Sequence, residues 1–333
     1  MTDLSYPGLD PDRREIAAVA EDYLAKHASD PLAGADLGWF GIGIPEQAGG
    51  SGGEFADLAP IIEAAGATCA ATAAVWTTGV LGRLLLDEPG PTAEQLMPRI
   101  ATGELTAALA LDGPPGGFTA DDAGVSGELT VHGAADPAVL VVPVAGDGRP
   151  TLVVVPREAV ELEALPSVDP SRHLHRVVLD AVSTADLPRL TAPAAHDRLR
   201  LYVGQACALD AAGAARRALA ATIAYAAERH QFGRPIGSFQ AYKHRCADAY
   251  QLLRLAQAGA FRAAVSLDGS DGDPALIRAA VRRGIPDCTH ICGDAVQLHG
   301  AIGFSWESGL HSWLKRARSA ELIAGSATPP EKL

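Results

Sequence analysis

The sequence predicts an α+β protein with an N-terminal helical domain, a middle β-barrel domain and a C-terminal four-helix bundle. Apolar residues recur at helical spacing near both ends of the chain, and short β-branched runs between Gly, Pro and Asp fill the middle. The last third is alanine-rich, with long helical periods. We expect the three domains to cover residues 1–103, 104–192 and 193–333.

The N-terminal region is predicted to form short helices around a glycine-rich loop. Ile16, Val19 and Tyr23 follow helical spacing, and a second apolar stretch runs over residues 64–86. The loop lies between them, at residues 41–53. The middle region, over residues 105–190, has the β-branched runs and turn residues of short strands.

The C-terminal region is predicted to contain four long helices. The first two are expected over residues 196–228 and 239–267. The third opens at Asp273, a helix-capping residue that precedes a proline, and continues towards His299 with a bend at Pro286. The fourth is expected over residues 309–324.

Composition excludes several classes of function. A net charge of −13 without basic runs excludes nucleic acid as a partner. No apolar stretch approaches the ~20 residues of a membrane helix, and the start has no signal-peptide pattern, so we expect a cytoplasmic protein without a membrane partner. The five cysteines are expected to be reduced and buried. Cys288, Cys292 and His290 supply too few ligands for a metal site, and His173 and His175 are interpreted as surface or edge residues.

The most informative segment is ERHQFGRPIGSFQ, over residues 228–240. It joins two long helices through a Gly/Pro turn that carries an Arg, two Gln and aromatic residues. A cation and amides at a helix end beside an aromatic ring can hold a pyrophosphate and an adenine. Spacing alone favours the alternative, an ordinary polar turn between helices.

This segment resembles the C-terminal signature of acyl-CoA dehydrogenases. Two further stretches are similar to that family in the expected order: GIGIPE with GGSG in the N-terminal region, and QLHGAIGF over residues 297–304. Members of the family usually carry two adjacent glycines where this sequence has Gly300 and Ala301. The order of domains resembles that of the family along nearly the whole chain.

The resemblance implies FAD at a subunit interface, held partly by the neighbouring subunit's bundle. The residues implied to contact the cofactor in that way are Arg229, Gln231, Phe232, Gln240, Gln297, Gly300 and Ala301. The family's flavin-seating elements at the start of the β domain are replaced here by ALALDGPPGG over residues 108–117, and later by GAADP over residues 133–137. We therefore expect that the middle domain does not seat FAD.

Both positions at which the family carries its catalytic base are expected to be empty. The resemblance places Ala324 where most relatives have Glu, and Leu199 where a minority has it. Neither side chain can accept a proton from an acyl-CoA. Glu321 and Glu307 remain as displaced candidates, and Glu321 lies about 5 Å along the helix from Ala324.

Asp197 and Arg200 match a family pair that helps to hold the pantetheine arm of the substrate. The alternative is an i, i+3 ion pair on the helix surface.

The resemblance implies a non-catalytic subunit of a heterotetrameric acyl-CoA dehydrogenase. Its expected partners are a full-length homologue that carries the Glu base, an acyl-CoA of the steroid-derived class, and an electron-transfer flavoprotein. Two alternatives remain open: a self-sufficient homomeric dehydrogenase with a displaced base, and a flavin-free scaffold that reuses the fold.

Overall fold

The protein is described by a computed structural model, which covers residue 4 and residues 9–111, 119–121, 124–144, 151–192, 194–268 and 273–327. The N-terminal helices are α1 (Pro11–Lys26), α2 (Phe55–Thr68), α3 (Ala74–Trp76), α4 (Arg83–Asp87) and α5 (Pro91–Ala101). Asp10 caps α1 by accepting a hydrogen bond from the Arg13 amide. The chain between α3 and α4, Thr77–Gly82, is π-helical.

The middle of the chain forms one eight-stranded sheet. Its strands are β1 (Ala107–Leu109), β2 (Thr119–Asp121), β3 (Gly124–Gly133), β4 (Val139–Val144), β5 (Thr151–Pro156), β6 (Glu161–Leu165), β7 (His173–Val182) and β8 (Arg189–Leu190). They pair in the order β6-β7-β3-β1-β4-β5-β8, with β2 beside β3 and only β1–β4 parallel among the described pairs. Among the described residues, β6 and β8 stand at the two ends of this order.

The C-terminal region is helical, as predicted. Its helices are α6 (Ala195–Glu228), α7 (Gln240–Ser266), α8 (Pro274–Ala279), α9 (Ile285–Leu298) and α10 (Leu310–Ala327), and a small hairpin of β9 (His230–Gln231) and β10 (Arg234–Pro235) joins α6 to α7. Asp273 caps α8 through the amides of Ala275 and Leu276. The single third helix expected from the sequence is interrupted by a π-helical turn, Ala280–Gly284, immediately before Pro286, because proline cannot donate the hydrogen bond that a regular helix needs.

The helix α6 is the centre of the fold. It runs for 34 residues, and its side chains from Leu201 to Ala215 are all buried. N-terminal helix α2 packs on it so closely that a Cβ at Gly66 would lie 1.8 Å from the Asp210 carbonyl oxygen. The N-terminal domain and the bundle therefore share one apolar core.

Two expectations about individual side chains need correction. All five cysteines are free, but only Cys207, Cys288 and Cys292 are buried, whereas Cys69 and Cys246 are half-buried. His175 is 4% exposed rather than a surface residue, because it faces into the fold from a strand whose alternate residues are covered. Within the described residues, no helix is both long and apolar enough to cross a membrane.

Candidate functional site

The hairpin after α6 presents the first group of predicted cofactor contacts. Gln231 pairs with Arg234, which leaves Phe232 and Gly233 as a two-residue turn, with φ of 52° and 77°. Two consecutive left-handed residues make the tight turn that matches the twist of a hairpin. Glycine adopts this conformation readily, but it is strained for Phe232.

Phe239 packs against one arm of this hairpin and against its turn. The Arg234 guanidinium lies 4.1 Å from the centre of the Phe239 ring. The Phe232 ring meets the same ring edge-on, at 6.1 Å between centroids. Phe232 is nevertheless 92% exposed, so these contacts support the turn while leaving its aromatic ring accessible.

The second group of predicted contacts follows the end of α9. Gln297 is in the last turn of that helix, and Gly300 opens a 3₁₀ turn (Gly300–Phe304) with φ of 65°. A Cβ at Gly300 would meet nothing within 4 Å. The backbone here is therefore open to close approach by another molecule.

One stacked pair of rings joins the two groups. The Tyr225 ring, one helical turn before Arg229, lies 4.3 Å from the His299 ring at an angle of 19°. Gln240, the first residue of α7, follows the hairpin after one 3₁₀ turn. The structure thus brings both motifs to one end of the bundle.

The predicted cofactor contacts share a second property, which is exposure to solvent. This holds for Arg229, Gln231, Phe232, Gln240, Gln297, Gly300 and Ala301. Among the described Phe and Trp residues, the exposed ones are Phe232, Phe304 and Trp306. Phe232 and Phe304 belong to these two segments, and Trp306 lies two residues beyond the second. A guanidinium, amides, an aromatic ring and open glycine backbone fit the adenine and pyrophosphate of FAD. They form an open surface that a second surface must cover to exclude water.

Both positions expected for a catalytic base are buried and apolar. Leu199 is 0% exposed and Ala324 is 1% exposed. Arg200 donates a hydrogen bond of 2.6 Å to the Ser326 carbonyl, which ties the start of α6 to the end of α10 beside both positions. Proton abstraction therefore has no acceptor in either side chain.

The displaced candidates have different surroundings. Glu321 accepts a hydrogen bond of 2.7 Å from Arg318. Glu307 is exposed, and a hydrogen bond from its own backbone amide lowers its pKa. A carboxylate base working near neutral pH requires the opposite change, a raised pKa, so the surroundings of Glu307 do not suit that role.

The predicted substrate pair is placed at the start of α6. Asp197 is exposed in the first helical turn, where a carboxylate interacts favourably with the helix dipole. Arg200 is half-buried and bonded to the Ser326 carbonyl. Arg200 thus has a role in helix packing.

The β domain has buried apolar residues in the two segments that take the place of the family's flavin-seating elements, residues 108–117 and 133–137. All three residues of β1 are buried Ala or Leu, and Ala134 is buried in the following element. Residues 112–117 of the replaced segment lie outside the described residues. Aliphatic side chains supply no hydrogen bond to a flavin ring.

Sequence reasoning missed a buried ion-pair cluster around Asp210, a residue of α6. The Asp210 carboxylate is 0% exposed and receives hydrogen bonds from Arg316, at 2.6 and 3.0 Å, and from Arg172, at 2.5 Å. The Arg172 guanidinium also lies 5.3 Å from the centre of the Trp76 ring. The available signal was a single acidic residue within an otherwise apolar stretch of helix.

Histidines adjoin this cluster on the sheet. Burial first, then the charges of Arg172 and His175, lowers the pKa of His132 from 6.5 to about 4. The His175 Nδ1 atom is buried without a hydrogen-bond partner. His132 is therefore neutral at physiological pH.

The surface of the described residues also has cavities near these elements. An apolar groove of about 620 Å³ runs between the end of α6 and the start of α7, beside the hairpin, and is lined by residues such as Ile223, Tyr242 and Cys246. A second, of about 210 Å³, lies near the glycine-rich loop and includes Arg83 and Asp268. The described residues contain no group of three or more His, Cys, Asp or Glu that could hold a metal ion.

Comparison with known families identifies the chain. The model of the acyl-CoA dehydrogenase C-terminal domain matches residues 201–328, and that of the N-terminal domain matches residues 12–104. The chain belongs to the acyl-CoA dehydrogenase family. Members of this family bind FAD.

Two curated acyl-CoA dehydrogenases of Mycobacterium tuberculosis are similar to most of this chain, but the chain spans different shares of their lengths. The chain is 35% identical to FadE34 over 85% of its own residues but spans only 38% of that relative. It is 31% identical to IpdE2, over 92% of the chain and 86% of the relative.

Two solved structures share the acyl-CoA dehydrogenase fold. One is the ChsE4-ChsE5 complex of M. tuberculosis, with a TM-score of 0.84, 21% identity and coverage of 98% of this chain and 96% of the other. The second is the Tcur3481-Tcur3483 steroid acyl-CoA dehydrogenase variant, with a TM-score of 0.80, 23% identity and coverage of 95% and 93%. They confirm the predicted α+β architecture of helical ends and central sheet.

Proposed function

We propose that this chain is the non-catalytic subunit of a heteromeric FAD-dependent acyl-CoA dehydrogenase, active in the α,β-dehydrogenation of an acyl-CoA. The supporting observation is a contrast within one bundle. Every predicted cofactor contact is exposed at one end, while both base positions hold buried aliphatic side chains. The exposed residues complete the FAD site of a full-length partner, and that partner supplies the Glu base.

The assembly proposed is a heterotetramer with two copies of each subunit. Two of the structural neighbours have titles that name two different chains, which supports a heteromeric arrangement. One of those titles also names a steroid acyl-CoA dehydrogenase, so a bulky, ring-bearing acyl-CoA is the proposed substrate. An electron-transfer flavoprotein in the cytoplasm regenerates the oxidised cofactor.

The residues of this chain contribute binding and exclusion of water. Arg229 neutralises pyrophosphate charge, Gln231 and Gln297 donate amide hydrogen bonds, and Phe232 covers the adenine ring. The cofactor supplies the hydride acceptor when bound. Asp197 and Arg200 are proposed to orient the start of α6 towards the pantetheine arm.

Co-purification with a full-length homologue that carries the Glu base tests this proposal. We expect a yellow complex with about one FAD per two chains, and a colourless, inactive chain when this protein is purified alone. In the complex, Arg229→Ala should weaken FAD retention about tenfold or more, as for loss of a hydrogen bond to a charged group. Visible absorbance and dialysis measure both quantities.

The matched control is Arg282→Ala. Arg282 is exposed in the π-helical turn before α9, about 22 Å along the helix from Gln297 at 1.5 Å per residue. One FAD per chain, turnover by this chain alone, or equal retention in Arg229→Ala and Arg282→Ala would each overturn the proposal. Unchanged retention would favour the scaffold alternative, and turnover alone would favour a homomeric enzyme.

A further inference from the structure

The two cofactor-contact segments adjoin different helices, so an interaction between those helices must fix the distance between the segments. Arg229 directly follows α6, whereas Gln297 and Gly300 border the end of α9. Pyrophosphate and adenine have fixed dimensions, so two segments that grip them must be held at a fixed separation.

The Tyr225–His299 pair is placed to fix that separation. The Arg229 amide donates a hydrogen bond of 2.9 Å to the Tyr225 carbonyl, so the aromatic residue and the cation are one helical turn apart. His299 lies between Gln297 and Gly300 in the chain. The stacked rings, 4.3 Å apart at 19°, therefore connect the last turn of α6 directly to the second contact segment.

Two hydrogen bonds accompany the stack. His299 Nδ1 lies 2.7 Å from the Ala295 carbonyl, one turn earlier in α9, and donates its proton to it. The Tyr225 hydroxyl lies 3.5 Å from the His299 carbonyl. The ring of His299 thus has one face committed to Tyr225.

We propose that Tyr225 and His299 form a positioning pair that fixes the separation between the two cofactor-contact segments. This inference rests on the proposed function and adds two residues to it, neither of which is a predicted cofactor contact. Loss of the stack leaves each segment folded on its own helix but allows their separation to vary. The complex should then bind FAD less tightly although every contact side chain is still present.

The test measures the FAD dissociation rate of the purified complex. We expect Tyr225→Leu and His299→Ala each to raise that rate about threefold to tenfold, the range expected for one stacked aromatic pair. Tyr225→Phe and His299→Phe retain two stacked rings and should stay within about twofold of the wild-type rate. The double variant Tyr225→Leu/His299→Ala should match the larger single effect, because both changes remove the same interaction.

Tyr242→Leu is the matched control. Tyr242 lies on the neighbouring helix and, like Tyr225, is half-buried with its hydroxyl 3.5 Å from a backbone carbonyl, that of Thr222. Equal rates for Tyr225→Leu and Tyr242→Leu, additive single effects, or no rescue by the Phe variants would overturn the positioning role. If Tyr225→Leu does not assemble, His299→Ala and His299→Phe decide the question alone.

Failure of this inference is distinguishable from failure of the proposed function. If Arg229→Ala accelerates FAD loss and Tyr225→Leu does not, the positioning pair alone is rejected. If Arg229→Ala has no effect, the proposed function is rejected and the positioning role falls with it.

Discussion

The exposed end of the bundle and the buried surroundings of Asp210 use charged residues in opposite ways. At the exposed end, Arg229 and Gln231 face solvent close to the strained hairpin turn at Phe232. In the interior, Arg172 and Arg316 are bonded to a carboxylate and closed off from solvent. Charges that must meet another molecule remain accessible, while charges that hold domains together neutralise one another. The same residue type therefore indicates opposite roles according to burial.

The interior cluster should have the largest effect on stability. Asp210→Ala removes the carboxylate that Arg172 and Arg316 share and leaves two buried guanidinium groups without it. We expect the free energy of unfolding to fall by about 3–5 kcal/mol, as for other broken buried pairs. Urea denaturation measures the loss.

Asp180→Ala is the control for this prediction, since Asp180 is exposed on β7. We expect that variant to change stability by no more than about 0.5 kcal/mol. A similar loss in both variants would show that the interior cluster is not special.

The neighbouring His132 should produce a smaller, pH-dependent effect. Burial lowers its pKa to about 4 in the folded chain, against about 6.5 when unfolded, so the unfolded chain binds more protons between these values. Stability should therefore rise with pH across this window, by at most about 3 kcal/mol from this residue.

The measurement compares urea unfolding of the wild type and His132→Asn at pH 4.5 and pH 7. The variant lacks the titrating ring, so its loss of stability on acidification should be smaller. His230→Asn, at an exposed position of the hairpin, controls for removal of a histidine. Equal pH dependence in wild type and His132→Asn would contradict the lowered pKa of His132.

The exposed end should show the smallest effect on stability, and with the opposite sign. Phe232 has φ of 52°, and asparagine adopts this conformation more readily. Phe232→Asn should raise the free energy of unfolding by about 0.5 kcal/mol. In the complex with its partner it should release FAD several times faster, because the accessible ring is lost.

Thermal unfolding and the FAD dissociation rate test both halves of this prediction. Leu255→Asn, at an exposed position in the middle of α7, serves as the control and should leave FAD release unchanged. If Phe232→Asn destabilised the chain and left FAD release unchanged, the turn would be a structural element like the interior cluster.

The order of helical and β regions was predictable from the sequence alone. Local properties carried that prediction: helical spacing in α6 and α7, β-branched runs in β4 and β5, and a helix-capping Asp273 before a proline. The motifs around Arg229 and Gln297 were also recognisable from the sequence, because each is defined by residue types within one short stretch of chain. The absence of a carboxylate at Leu199 and Ala324 likewise needed only the sequence.

Tertiary packing decided what lies next to what. The stack of Tyr225 on His299 joins residues that are far apart in the chain, and so do the bonds from Arg172 and Arg316 to Asp210. His175 was misplaced at the surface because alternation along a strand does not reveal which face a neighbouring domain covers. Burial depends on packing between distant parts of the chain, so only the tertiary structure decides which charged residues are exposed and which are buried.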